Sequence, residues 1–158
     1  MSEYKRILVV VRIIQSCRKA IQYGVSLARK YRAQLYVIHS VHNPIGLKGW
    51  GLGTRDLALE YEKSLVDSRQ KLLALIEDEK TQGMPIKELI REGDPTEEIL
   101  KAIEEEKINL LVMLAHEEGH VEHLLFGRSN DELVRKMPCS IMLVKKEPEA
   151  IAEDKEDE

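Results

Sequence analysis

Three histidines with interspersed glutamates form the densest group of potential metal ligands in the chain. The group combines an H-x3-H-x2-H pattern with three acids: His116, His120, His123, Glu117, Glu118 and Glu122. On a helix, His116 and His120 would share one face and could bind zinc, with His123 or a carboxylate as the third ligand. In a solvated loop the same spacing has no such meaning. The choice between these alternatives depends on the fold.

Patterns for nucleophilic catalysis and phosphate binding are weak. His39 and His42 close an apolar run, where a histidine is more often a hydrogen-bonded wall residue than a catalyst, and no Ser-His-Asp or Cys-His pairing has a defined local spacing. The glycine-rich segment Gly46–Gly53 is neither GxGxxG nor a P-loop. Cys17 and Cys139 lack a CxxC motif, which favours two reduced structural thiols over a disulfide or a zinc ribbon. We therefore expect no enzyme activity.

The chain has the length of one domain with a sizeable core. Its 158 residues include 24 Lys and Arg against 28 Asp and Glu, for a formal charge of −4. Residues 146–158 hold seven acids and two lysines, a net −5, so residues 1–145 are +1. We predict a folded domain over residues 1–146 and an acidic, disordered tail over residues 147–158, because the tail has little apolar area to bury.

The distribution of charge and apolar residues also bears on partners and location. A near-neutral body with interspersed Lys, Arg and Glu, followed by an acidic tail, argues against nucleic-acid binding. The apolar runs, such as Ile7–Val11, are all far shorter than the roughly 18 residues that span a bilayer, and no apolar signal region follows the first residues. We expect a cytoplasmic protein that binds neither nucleic acid nor membranes.

Apolar runs alternate with helical patterns along the chain. The runs rich in Ile, Val and Leu are continuous, which is typical of parallel strands covered on both faces. The predicted strands are residues 6–11, 34–39, 86–91, 109–114 and 140–145, of which 86–91 is half-polar and suits a sheet edge. The predicted helices are residues 16–32, 56–82, 95–107 and a last one from about 129 to before Pro138. This order predicts a single doubly wound α/β domain.

One helix start is defined by local chemistry. In the segment Gly93-Asp-Pro-Thr-Glu97, Asp94 is placed as the N-cap and Pro95 as the first helical residue. Glu97 completes a pattern like a capping box. We therefore expect a helix to begin at Pro95.

Several segments, in this order and spacing, resemble the universal stress protein family. The resemblance covers about residues 4–146 and rests on Lys5–Val10, Glu92–Leu100, Asn109–Met113 and Leu124–Lys145. It implies a Rossmann-like fold of the adenine nucleotide alpha hydrolase type, with helices on both faces of a five-stranded parallel sheet in the order 3-2-1-4-5. In that fold the histidine-rich segment is mostly a loop, so we expect no zinc site.

The resemblance also implies a homodimer through the last strand. Physically, Ile141 to Val144 would be an exposed apolar edge in a monomer, and pairing with a second copy removes that liability. The partner that we expect is therefore a second copy of the chain, with another protein as a further possibility.

Members of this family divide into proteins that bind ATP and proteins that do not. The binders resemble a pattern of Gly, two residues, Gly, nine residues, then Gly followed by Ser or Thr. With the last glycine on Gly127, the first two positions hold Leu114 and Glu117, and the hydroxyl position holds Arg128. Glu117 would repel a triphosphate, and side chains at the glycine positions would block its approach. The motif is therefore degraded, and ATP is not expected as a cofactor.

A vestigial nucleotide crevice is predicted at the carboxyl ends of the first and fourth strands, where such sheets bind ligands. Its residues are Arg12, Val41, Glu117, Gly127 and Arg128. Arg12 reverses the charge of the Asp with which nucleotide-binding members contact the adenosine. We expect a non-enzymatic stress-response regulatory or interaction module. Two alternatives stay open: a nucleotide-binding switch with weak or no hydrolysis, or a binder of another small anion through Arg12 and Arg128.

Overall fold

Five parallel strands form the centre of the molecule. The structure is a computed structural model that describes residues 3–11, 18–41, 76–115 and 128–145, with the helical positions 63, 66, 67, 70, 73 and 74. The strands are β1 (Arg6–Val10), β2 (Gln34–Val41), β3 (Ile86–Glu92), β4 (Leu110–Leu114) and β5 (Ser140–Val144). Their order is β3-β2-β1-β4-β5, and each neighbouring pair is parallel. The predicted sheet is confirmed.

Helices cover both faces of this sheet. They are α1 (Arg18–Tyr31), α2 (described without a gap over residues 76–81), α3 (Pro95–Glu105) and α4 (Arg128–Lys136). The four predicted helices are thus confirmed where the structure describes them. The predicted start of the first helix at residue 16 and much of residues 56–75 lie outside the described residues.

Alternate residues of each strand divide the apolar core into two layers. Ile7 and Val9 of β1 pack in the layer that includes α1 and Ile76 of α2. Leu8 and Val10 pack in the opposite layer, which includes α3 and Leu133 of α4. The central strands are buried on both faces because α-helical crossovers return across the sheet on either side. Their continuous apolar sequences are explained by this burial.

The helix α3 begins as the sequence predicts. Asp94 has extended backbone angles, and its Oδ1 accepts a hydrogen bond from the Glu97 backbone N–H at 3.0 Å. Pro95 occupies the first turn, where a missing N–H costs nothing. Gly93 has a φ of +132°, which glycine adopts without steric cost. The turn between β3 and α3 is therefore specified locally.

The strand β3 lies at one edge of the sheet, as its half-polar sequence predicts. The Lys87 ammonium is 2.9 Å from Glu106 Oε1, and the Arg91 guanidinium is 2.7 Å from Glu105 Oε2 and 3.9 Å from Glu98 Oε2. The hydrogen bond from Arg91 lowers the pKa of the Glu105 carboxyl. These ion pairs join the outer strand to α3 and place charges along this edge.

The predicted acidic tail, residues 147–158, lies outside the described residues and stays a prediction. Within the part of the chain that the structure describes, no helix is long and apolar enough to cross a membrane.

Candidate functional site

The order of the strands reverses between β1 and β4. From β1 the sheet extends through β2 to β3 on one side, and through β4 to β5 on the other. The Val11 N–H donates to the Ile38 carbonyl at 2.9 Å, and the Ala115 N–H donates to the Val144 carbonyl at 2.8 Å. Ordered backbone therefore continues one residue beyond β1 and β4. It does so at the carboxyl ends of the strands, where doubly wound proteins bind their ligands.

Two of the five predicted crevice residues fall within the described chain. Val41 is the last residue of β2, in register with Glu92 of β3. Arg128 is the first residue of α4. The remaining three lie outside the described residues: Arg12, Glu117 and Gly127. The grouping of the five residues around one crevice stays a prediction.

Leu114, which occupies the position of the first glycine in the ATP-binding pattern, ends β4. Its side chain is buried, in register with Val144, and belongs to the apolar layer on the α1 side of the sheet. The Leu114 side chain packs in the core, and glycine, which has no side chain, would make none of these contacts. In this chain the position serves the apolar core.

His39 is a buried polar residue at the same end of the sheet. Its side chain is 6 % exposed, and its Nδ1 lies 2.9 Å from the Val11 carbonyl oxygen. A carbonyl only accepts, so Nδ1 carries the proton and donates. Burial lowers the pKa of His39, and the hydrogen bond to Val11 opposes this to a smaller extent. His39 is thus a neutral, hydrogen-bonded wall residue, as the sequence predicts; His42 lies outside the described residues.

Asn130 is a site residue that the sequence analysis missed. It is 4 % exposed in the first turns of α4, and its Nδ2 donates to the Leu114 carbonyl at 3.0 Å. This bond ties the start of α4 to the end of β4 across 16 residues. An Asn near a helix start favours exposure or capping, so the sequence carries little signal for a buried tertiary contact.

The second edge of the sheet differs in chemistry from the first. In β5, Ile141 and Met142 are half-buried and Leu143 is 50 % exposed. Met137, which connects α4 to β5, is 59 % exposed at a φ of +40°. An edge strand offers unpaired backbone groups, and here apolar side chains accompany them. Of the residues expected to form an exposed apolar edge, Leu143 is exposed, Ile141 and Met142 are half-buried, and Val144 is buried.

Cys139 enters β5 as a half-buried thiol. It packs against the apolar layer on the α3 side, and burial raises its pKa, with a smaller opposing effect from a hydrogen bond with the Leu111 backbone. A raised pKa reduces the thiolate fraction and so the reactivity of the thiol. The predicted packing role of Cys139 is supported.

The described residues contain no group of three or more His, Cys, Asp or Glu side chains that could hold a metal ion. The histidine-rich segment that could bind zinc, residues 116–123, lies outside them.

A five-stranded parallel sheet in the order 3-2-1-4-5, with helices on both faces and a switch point between β1 and β4, defines a doubly wound α/β protein. The sequence pattern of the universal stress protein family matches residues 3–145 of this chain. The chain belongs to the universal stress protein family.

Individual relatives are distant in sequence. A universal stress protein of Methanocaldococcus jannaschii is 26 % identical over 148 residues, covering 90 % of this chain and 83 % of its own length. A second universal stress protein from the same organism is 23 % identical over 103 residues, which cover 65 % of this chain and 64 % of the relative. This match thus spans a little less than two-thirds of the relative's length.

Solved structures show the same fold. Universal stress protein UspA from Lactobacillus plantarum is 19 % identical, with a TM-score of 0.73 over 91 % of this chain and 99 % of that one. A universal stress protein in complex with cAMP is 17 % identical, with a TM-score of 0.64. The match covers 90 % of this chain and 98 % of that one. At these identities the likeness concerns the fold.

Proposed function

We propose that this protein is a cytoplasmic, non-enzymatic regulatory or interaction module of the stress response, which acts as a homodimer and does not bind ATP in the manner of the nucleotide-binding family members. Membership of the family carries the stress-response part of this proposal. One set of residues supports the homodimer, and a different set supports the absence of ATP binding.

Leu114 carries the argument against ATP binding. The nucleotide-binding pattern needs glycine there so that backbone N–H groups can approach phosphates closely. In this chain a buried leucine side chain packs in the core at that position. Two further positions of the pattern hold Glu117 and Arg128, of which Glu117 would repel a triphosphate. Three of the four key positions thus depart from the pattern.

The test measures the nucleotide content of protein purified without additives, and then its thermal unfolding with and without Mg-ATP. We expect no stoichiometric nucleotide by absorbance and mass spectrometry, and no shift in thermal unfolding. A ligand at a hundred times its dissociation constant stabilises a protein by about 2.7 kcal/mol, so the thermal assay is sensitive enough. Stoichiometric co-purified nucleotide would contradict the proposal.

A gain-of-binding variant tests the reason for the absence. Glu117→Gly combined with Arg128→Ser restores two positions of the pattern and removes the repulsive carboxylate. Nucleotide affinity should rise in this double variant and stay unchanged in the matched control Glu118→Gly with Arg128→Ser. Equal behaviour of the two double variants would show that Glu117 does not oppose nucleotide binding.

The contrast between the two sheet edges supports the homodimer. The β3 edge carries Lys87 and Arg91, which are engaged in ion pairs with α3. In the described part of the chain, β5 is the outer strand on the other side of the sheet, and it presents Ile141, Met142 and Leu143. Charged edges discourage strand pairing, whereas flat apolar edges favour it. A second copy of the chain, paired through β5 in an isologous contact, would cover this edge.

A matched pair of edge variants tests the dimer. Leu143→Glu places a charge on the β5 edge, and Ile90→Glu places one on the β3 edge, where the apolar side chain is also exposed. Sedimentation velocity should show a dimer for the wild type and Ile90→Glu, and a shift to monomer for Leu143→Glu. A monomeric wild type, or equal dimerisation of both variants, would overturn the β5 interface.

The second candidate function is a nucleotide-dependent switch, or a binder of another small anion. It is favoured by structural neighbours whose descriptions name cAMP, dAMP and AMP as bound molecules. Arg12 and Arg128 would supply the positive charge for such a ligand. A thermal shift screen with these nucleotides and with inorganic phosphate separates this function from the first. Stabilisation that Arg12→Ala removes would favour it.

A further inference from the structure

Val11, the residue that follows β1, is held against β2 by two hydrogen bonds. Its N–H donates to the Ile38 carbonyl at 2.9 Å, and its own carbonyl oxygen accepts from His39 Nδ1 at 2.9 Å. Val11 is 2 % exposed and His39 is 6 % exposed. One of the two bonds that join the end of β1 to β2 therefore comes from a buried, titratable side chain.

We propose that His39 is a proton-operated latch on the carboxyl ends of β1 and β2. The neutral imidazole, protonated on Nδ1, satisfies the Val11 carbonyl and stays buried. A second proton on Nε2 places a full charge in an apolar site, and this charge is hydrated only if the ring leaves its place. The Val11 carbonyl then loses its donor, and the end of β1 opens from β2.

No charge among the described residues is found to offset the charge of an imidazolium at His39. β1 contributes only apolar residues from Ile7 to Val11, and the register partner of His39 on β3 is Ile90. On this face of the sheet, the described ionisable residues of β3 are Glu88 and Glu92. Those of the two helices are Arg18, Lys19, Tyr23, Arg29, Lys30 and Tyr31 of α1, and Lys63, Asp67, Glu77, Asp78, Glu79 and Lys80 of α2.

Two of the acids among these residues already have cationic partners. Glu88 Oε1 lies 2.6 Å from Lys80 Nζ, and Asp78 Oδ2 lies 3.5 Å from Arg18 Nη2. The lowered pKa of His39 has burial as its largest cause, and no described charge contributes to it. Among the described residues, protonation of His39 is therefore opposed by desolvation and is not offset by an ion pair, as the latch requires.

The latch goes beyond the proposed function and does not depend on it. It makes one wall of the crevice sensitive to acid whether the chain is a dimer or a monomer and whether or not a nucleotide binds. Histidine is suited to such a role because its proton equilibrium lies close to physiological pH.

Amide hydrogen exchange followed by NMR between pH 7.5 and pH 5.0 tests the latch in the full-length protein. After correction for intrinsic rates, the protection factor of the Val11 amide should fall by about tenfold per pH unit as the pH falls from 6.5, the usual histidine pKa, toward the lower pKa of the buried His39 ring, and should level off below that pKa. The matched control is the Ala115 amide, which donates to the Val144 carbonyl at the same end of the sheet. Its protection should stay constant. Constant protection of Val11, or an equal fall of both amides, would overturn the proposal.

A substitution isolates the responsible proton. His39→Asn places an amide donor at the position of Nδ1 and removes the titration, so Val11 protection should become independent of pH. The control His42→Gln should keep the wild-type dependence. If His39→Asn does not fold, the wild-type imidazole ¹⁵N shifts and the Val11 carbonyl ¹³C shift should titrate with one midpoint. Different midpoints would contradict the latch.

Discussion

Gly24 of α1 lies directly against Val9 of β1, with no space for a Cβ atom between them. A methyl group at position 24 would overlap Val9 Cγ2 and stand 3.3 Å from Leu35 Cδ1. Gly24 is helical, so the requirement here concerns space rather than a special backbone conformation. The close approach of α1 to the sheet depends on this missing side chain.

Gly24→Ala should therefore lower the free energy of unfolding by about 1–3 kcal/mol, as overpacking of a filled core does. This effect outweighs the gain in helix propensity of about 1 kcal/mol. Urea denaturation measures the difference. Ser26→Ala, an exposed position on the same helix, is the control and should be neutral or slightly stabilising. Equal stability of the glycine variant and the wild type would show that α1 can move away at no cost.

Asp94→Ala should lower the free energy of unfolding by about 1 kcal/mol, because the Glu97 amide loses its acceptor at the start of α3. Asp94→Asn keeps a side-chain oxygen at the N-cap and should lose less than half of this amount. Thermal and urea unfolding of both variants supply the comparison. If Asn and Ala are equally destabilising, the side-chain acceptor is not the source of stability.

Stability should decrease in mild acid through His39. Its pKa is lowered in the folded state from a usual value of 6.5, so the unfolded chain binds more protons. The contribution of neutral His39 to the free energy of unfolding is then fully present above pH 6.5 and is lost as the pH falls toward the lower folded pKa. Urea unfolding at pH 7.5 and 5.5 should show this loss, and His39→Asn should reduce it. A loss of the same size in His39→Asn would assign the effect to other groups.

The carboxylate of Glu105 contributes in a lower pH range. Its pKa lies below a usual value of 4.5, because Arg91 donates a hydrogen bond to it. This stabilisation is therefore present above pH 4.5 and is lost only in stronger acid. In urea unfolding, Arg91→Met should lose as much free energy of unfolding between pH 7.5 and 5.5 as the wild type does. Below pH 4.5 it should lose less than the wild type.

Cys139 should react slowly with a thiol reagent such as dithionitrobenzoate. Burial raises the pKa of its thiol, so the thiolate that attacks the reagent is scarce at pH 8. The variant Cys17→Ser leaves Cys139 as the only thiol, and its reaction rate in the folded state should be well below the rate in urea. Equal rates would mean that the thiol is exposed and argue against its packing role.

The order of elements could be predicted because each one is encoded locally. Continuous apolar runs indicate buried parallel strands, and the Asp94-Pro95 pair defines a helix start from adjacent residues alone. The order of the strands came from the resemblance to a family, since periodicity does not state which strands are neighbours. The half-polar composition of β3 was sufficient to place it at an edge.

The contacts at the site could not be predicted in the same way. His39 and Val11 are 28 positions apart, and Asn130 bonds to a carbonyl 16 positions away. Each bond exists because the parallel register brings two strand ends, or a strand end and a helix start, to the same place. Single positions do not carry that information. The requirement for Gly24 likewise depends on where Val9 lies.

The two sheet edges together limit how this protein can associate through its backbone. The β3 edge bears charged side chains bound to α3, whereas β5 bears apolar ones. Strand addition is therefore open in one direction and obstructed in the other. In the proposed homodimer, an isologous contact through β5 would use the apolar edge of both copies at once, so strand addition would end after a single step. Such a dimer would expose only the two β3 edges, whose charged side chains discourage further strand pairing.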